Sequence, residues 1–177
     1  MREMMKKRSW MLLLGGMLLL VAACSGGLPE GFKEYKDLEQ GFSIGYPEDW
    51  KELHGMGTLV TFAHPDENAK GRPNFGVTTE ALKVAVTPDE YLENAKSVMV
   101  KVMPGFEFLE QTSETINGEN GVRFKYDIEV DGQKLTLLGF AVIKNNTAYV
   151  VTGGCKQEQF EENVGTFDKA GRSLRIL

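Results

Sequence analysis

Residues 119–152, ENGVRFKYDIEVDGQKLTLLGFAVIKNNTAYVVT, decide how this chain folds. Val122, Phe124, Tyr126, Ile128 and Val130 alternate with Arg123, Lys125, Asp127 and Glu129. Successive strand side chains point to opposite faces, so this run is a strand with one face buried and the other wet. Asp131 and Gly132 are the pair that closes a two-residue hairpin. The return, 133–143, carries Leu137, Leu138, Phe140, Ala141, Val142 and Ile143 almost without interruption, the composition of an interior strand covered on both faces. Asn145 and Asn146 turn the chain again, and 147–152 forms the next strand. Strands joined this tightly pair antiparallel.

Working outward, 106–116 supplies a strand ahead of the turn at Asn117 and Gly118. Thr87, Pro88, Asp89 and Glu90 then give the strongest local signal in the chain. A capping threonine, proline at the first helical position and glutamate three residues on form a capping box. Tyr91, Leu92, Ala95, Val98, Met99, Val102 and Met103 follow at helical spacing, predicting a core-facing helix over 87–103 that stops at Pro104 and Gly105. Its methionines read as packing filler. On the other side, 157–173 predicts a closing helix with Phe160, Val164, Phe167 and Leu174 along one stripe. Upstream, 32–37, 42–47, 58–64 and 74–82 read as strands. Gln40 and Gly41 form the first turn, and a polar loop spans 65–73. Two helices with single apolar stripes each need a sheet face to cover, which makes the domain α+β.

The string Phe42, Ile44, Tyr46, Pro47 and Trp50, read as F-x-I-x-Y-P-x-x-W, resembles the opening of the PsbP-like fold. There, such a strand is followed by a proline-capped helix like 87–103, an antiparallel meander, and a closing helix with a short apolar tail such as Leu174, Ile176 and Leu177. The resemblance covers 32–177 and implies a three-layer α/β/α sandwich around a central antiparallel sheet, with no enzymatic active site. The name-giving members are extrinsic subunits on the lumenal side of photosystem II, supporting its inorganic ions. No metal or chloride ligand carries over, because no motif for one matches residue by residue.

The N-terminus describes a different kind of segment. Arg2, Lys6, Lys7 and Arg8 precede an apolar run from Trp10 to Ala23, the layout of a secretory signal peptide. That run is shorter than the ~20 residues needed to span a bilayer. Val21, Ala22, Ala23 and Cys24 resemble a bacterial lipobox, which makes 1–23 a lipoprotein signal peptide and Cys24 the site of lipid attachment, the position that palmitate would label. Residues 24–31, with three glycines and one serine, read as a lipidated cysteine followed by a flexible spacer, and 32–177 as one domain. Several acyl chains on one cysteine anchor durably where one does not. The expected location is therefore the cell membrane, with the domain on the extracytoplasmic side of the envelope.

The 177-residue chain has a formal charge of −5, but 1–23 carries four Lys/Arg against one acidic residue, so the 154 residues from Cys24 onward stand at −8. That balance, with no basic stripe, argues against nucleic acid as a partner. Two cysteines invite a disulfide; with Cys24 lipidated, Cys155 is left alone and reads as a buried small residue.

The candidate chemistries are few. Gly41, Phe42, Ser43, Ile44 and Gly45 spell G-x-S-x-G, yet a nucleophile elbow puts its serine on a strand-to-helix turn and needs an acid and a histidine placed around it. Ser43 sits inside an alternating strand, and the two histidines, His54 and His64, fall in nearby loops. His64 with Asp66 and Glu67, or Glu158 with Glu161 and Glu162, could offer oxygen ligands to a hard cation, but neither has zinc-type spacing. No catalytic residue, cofactor or metal site is assigned. The expected function is a non-enzymatic, membrane-anchored envelope lipoprotein that binds or steadies a membrane-associated protein partner. The alternative is a small-molecule or hard-cation binder using the 65–73 loop, and the remote one is a serine hydrolase.

Overall fold

The computed structural model describes residues 27–55, 57–66 and 71–177. The calls on 1–23 and on Cys24, and on Glu67, lie outside the described residues. The chain order is β1 (Phe32–Asp37), β2 (Phe42–Pro47), β3 (Lys51–Leu53), β4 (Val60–Ala63), β5 (Asn74–Ala81), α1 (Pro88–Val102), β6 (Glu107–Ile116), β7 (Glu119–Val130), β8 (Gln133–Lys144), β9 (Thr147–Lys156), a single 3-10 turn (Gln157–Gln159), α2 (Phe160–Ser173) and β10 (Arg175–Ile176). A seven-stranded antiparallel sheet runs β3-β4-β5-β9-β8-β7-β6, and a separate three-stranded sheet runs β1-β2-β10.

The meander forms as its sequence dictates. Asn117 and Gly118, Asp131 and Gly132, and Asn145 and Asn146 all adopt positive φ, the signature of the type I′ turns whose twist matches that of paired strands. Val122, Phe124 and Tyr126 of β7 then face one side of the large sheet, where they meet Leu92 of α1 and Ala141 of β8. Leu138, Phe140 and Val142 of β8 face the other side and pack with Phe160, Phe167 and Ala170 of α2. The interior strand covered on both faces is thus β8, and the layers are α1, the large sheet, and α2 alongside the small sheet.

The sequence reading differs from the structure in β2 and in β9. Alternation in 42–47 predicts a half-buried strand, but all six residues of β2 are buried. Phe42, Ile44 and Tyr46 join the main core, while Ser43 and Gly45 are small because the opposite face is also covered. A Cβ on Gly45 would lie 2.9 Å from the Leu28 side chain and 3.1 Å from Ser173 Oγ. β2 is the centre of the small sheet, flanked by β1 and by the tail strand β10. The last long strand also reaches further than 152, to Lys156, because Leu135 to Lys144 of β8 pair with it along its whole length.

Helix α2 approaches the large sheet closely. A Cβ on Gly171 would meet the Phe140 ring at 2.1 Å, so only hydrogen fits there. Leu28 to Gly31, read as spacer, already touch the domain: Phe32 N–H donates to Pro29 O and Glu48 N–H to Gly31 O. Among the described residues, no helix is long and apolar enough to cross a membrane.

Candidate functional site

The sequence predicts α1 as a helix lying fully on the core, and here the structure corrects it. The capping box forms as read, with Glu90 N–H donating to Thr87 Oγ1 and Thr87 N–H donating to the Glu90 carboxylate. Of the apolar stripe only Leu92 is fully buried, with Pro88 buried at the helix start. Val98 and Val102, assigned to the core face, are 55% and 65% exposed. The reason lies in where α1 is fastened. Ser113 Oγ of β6 donates to the Asp89 carboxylate at 2.8 Å, Lys96 Nζ donates to Gln111 Oε1 of β6, and the Lys96 ammonium stands 4.3 Å above the Phe108 ring. All these ties pull the helix toward the β6 edge. Its other flank is left standing clear of β5.

Between that flank and residues 82–86 runs an apolar groove of about 470 Å³. Leu82, Val84 and Val86 form one wall; Ala95, Val98, Met99, Val102 and Met103 form the other. At one end Tyr91 bridges the two, its hydroxyl donating to Glu80 Oε2 at 3.0 Å. Burial and this hydrogen bond to Glu80 push the Tyr91 phenol up to about 12, so it stays a neutral donor. Asn94 and Lys83 are the other polar groups on the rim. A surface of this kind holds apolar matter and offers a few polar groups for orientation. No serine, threonine, cysteine or histidine lines the groove.

The groove was not read from the sequence as a site. Its signal was present twice: Leu82, Val84 and Val86 alternate in the segment leading to the cap, and the apolar positions of α1 outnumber those that one sheet face can cover.

The other candidates fall out singly. Ser43 is buried within β2, opposite Lys36 and Arg175, with no strand-to-helix turn around it. His54 bonds Glu52 on the exposed β3 side, while His64 Nδ1 accepts from Asp66 N–H. Glu158, Glu161 and Glu162 are exposed at the start of α2, where carboxylates offset the helix dipole. Among the described residues no three His, Cys, Asp or Glu side chains come together as metal ligands. Cys155 is buried, and burial pushes its thiol up to about 11. The buried Asp127 carboxylate is satisfied by Thr136 Oγ1 at 2.7 Å and Gln157 Nε2 at 2.9 Å, a structural tie between β7, β8 and the turn before α2.

The family model for PsbP matches residues 30–176. The chain belongs to the PsbP family. The solution structure of cyanobacterial PsbP from Synechocystis sp. PCC 6803 superposes with a TM-score of 0.64 at 15% identity, covering 89% of this chain and 99% of that one. LpqN of Mycobacterium tuberculosis, described as involved in cell envelope biogenesis, gives 0.62 at 14% identity over 82% of this chain and 91% of its own. The Ran-binding protein Mog1p of Saccharomyces cerevisiae gives 0.57 at 8% identity over 82% and 95%. At these identities the likeness concerns the fold. No curated protein matches the chain.

Proposed function

We propose that this PsbP-family chain is a lipoprotein of the cell envelope, anchored through Cys24. In this reading it serves a non-enzymatic, accessory role by receiving an apolar segment of a membrane-associated protein in the α1 groove. The observation that carries this reading is the groove itself: one flank of α1 is fastened to β6, while the valines of the other stand more than half exposed along a wall of Leu82, Val84 and Val86. Exposed aliphatic side chains gathered into one patch mark an interaction surface, whereas scattered ones do not. A helix lined with valine and methionine suits another apolar helix or strand, since methionine repacks readily around different shapes. The lipobox-like end at Cys24 supports the location, as does the envelope role given for LpqN, and the Ran-binding Mog1p supports protein recognition by this fold.

One observation favours a second reading, a small apolar ligand: the groove volume of about 470 Å³ falls within the range of small-molecule sites, and Tyr91 with Glu80 would orient a polar head. A photo-crosslinking side chain at position 98, activated in intact cells, separates the two. One dominant protein adduct, lost when Val102→Asp is added, supports the partner reading. Adducts of low mass only would transfer the site to a small ligand, and no adduct at all would remove the groove from the function.

A further inference from the structure

Gly27 follows Cys24 by three residues. Three residues span at most about 10 Å. Gly27, Leu28 and Pro29 share a hollow of about 260 Å³ with Asn117, Lys169, Arg172, Ser173 and Arg175. Asn117 Nδ2 donates to Arg172 O and Leu174 O, which fixes the β6–β7 turn beside the end of α2. Leu177 N–H donates to Gly41 O, so the tail ends against the β1–β2 turn. That turn in turn meets the top of the large sheet, where Tyr149 Oη donates to Gln40 O and Thr79 Oγ1 donates to Gln40 Oε1. Leu82 N–H donates to Asn146 O at the neighbouring β8–β9 turn. These turns and the tail therefore occupy one end of the molecule, and Gly27 to Pro29 lie beside the end of α2 that leads into it.

Large aliphatic side chains stand out into solvent at that end: Leu38 is 79% exposed, Val84 66% and Leu177 57%. Lys169, Arg172 and Arg175 surround Gly27, Leu28 and Pro29. Arg172 is paired with Asp168 and Glu114, while Lys169 and Arg175 have no ion pair among the described residues. The opposite end, at the Asp131–Gly132 turn and the start of α2, sets Glu129, Asp131, Glu158 and Glu161 against Lys134 and Lys156. Asp37 and Glu39 lie at the same end as the exposed aliphatics, so what marks that end is the exposed aliphatic trio together with the cations gathered beside Gly27.

The geometry points to this end as a membrane-resting face. Leu38, Val84 and Leu177 reach the headgroup layer, and Lys169 and Arg175 engage lipid phosphates. This rests on the Cys24 anchor proposed above, since the ~10 Å reach is what holds the end against the bilayer. The mouth of the α1 groove, at Leu82 and Val84, then opens at the lipid surface, where a membrane protein's apolar segment would enter it.

The test uses the full lipidated chain in vesicles of phosphatidylethanolamine and phosphatidylglycerol. An environment-sensitive dye is placed at Leu38→Cys, or at Asp131→Cys as the far-end control, and quenched with spin-labelled lipid; Cys155 is buried and does not compete. Quenching several-fold stronger at 38 than at 131 is expected, falling in Lys169→Glu/Arg175→Glu while flotation with vesicles persists. Flotation with equal quenching at the two positions overturns the orientation and leaves the anchor standing. Failure to float overturns the anchor and the orientation together.

Discussion

Two glycines of α2, six residues apart, predict opposite outcomes for the same substitution. Alanine is favoured over glycine in a helix interior by about 1 kcal/mol, because glycine loses more backbone freedom on folding. At Gly165, which is exposed, an added Cβ meets nothing within 4 Å. Gly165→Ala therefore stabilises by up to about 1 kcal/mol. At Gly171 the added Cβ would fall 2.1, 2.3 and 2.5 Å from three atoms of the Phe140 ring. Phe140 is fully buried in the main core and cannot swing aside. Ordinary contact begins near 3.4 Å, so the helix must lift by about an ångström, and overpacking at the upper end of its range costs about 3 kcal/mol. Subtracting the gain in propensity leaves Gly171→Ala destabilised by about 2 kcal/mol. For a chain of this size each kcal/mol moves the melting temperature by about 2–4 °C, so the two variants should straddle wild type. Urea unfolding followed by Trp50 fluorescence and by circular dichroism reads both. A Gly171→Ala protein as stable as wild type, or more so, would refute the close approach of α2 to β8.

The remaining predictions are briefer. Leu92→Ala removes the one fully buried side chain that seats the middle of α1, in the cluster with Val122, Phe124 and Ala141; it should cost about 3 kcal/mol in urea unfolding, and a loss below 1 would mean that β6 alone holds the helix. Cys155, with its thiol pushed up to about 11 by burial, should resist maleimide in the native protein and react fully in denaturant; mass spectrometry counts the adducts. Hydrogen bonds from the Thr87 backbone and hydroxyl hold Glu90 below its ordinary value of 4.5. A carboxyl depressed in the folded state contributes stability that is fully present above that value and fades as pH falls through the folded one. Glu90→Gln should therefore flatten the acid limb of the melting curve, and an unchanged limb would remove the capping box from the pH response.

How much of this was legible in sequence depends on what each residue reports. The hairpins were readable because Asp131-Gly132 and Asn145-Asn146 state a backbone geometry locally, and β7 through Tyr126, beyond which Asp127 of the expected wet face is buried and Val130 of the expected buried face is exposed. The helix cap was readable for the same reason, since Thr87, Pro88 and Glu90 act within one turn. In β2 the alternation reads as one wet face, but Gly45 is small to admit Leu28 and Ser173, the second of them 128 positions away. The groove escaped notice because periodicity says which residues of α1 are apolar and not how far the helix is dragged toward β6. That displacement comes from Asp89, Lys96, Gln111 and Ser113, polar residues whose pairing no spacing rule announces.

The pairing of β2 with β10 has a consequence in time. Residue 43 lies near the start of the domain and residue 175 is the third from its end, yet they are neighbours in the small sheet. Strand β2, buried at every position, cannot receive its second partner until Arg175 and Ile176 have been synthesised. The emerging domain therefore stays open along this seam and shuts only when Ile176 arrives. Loss of the final few residues would then be felt first at Phe42 and Ser43, more than a hundred positions away.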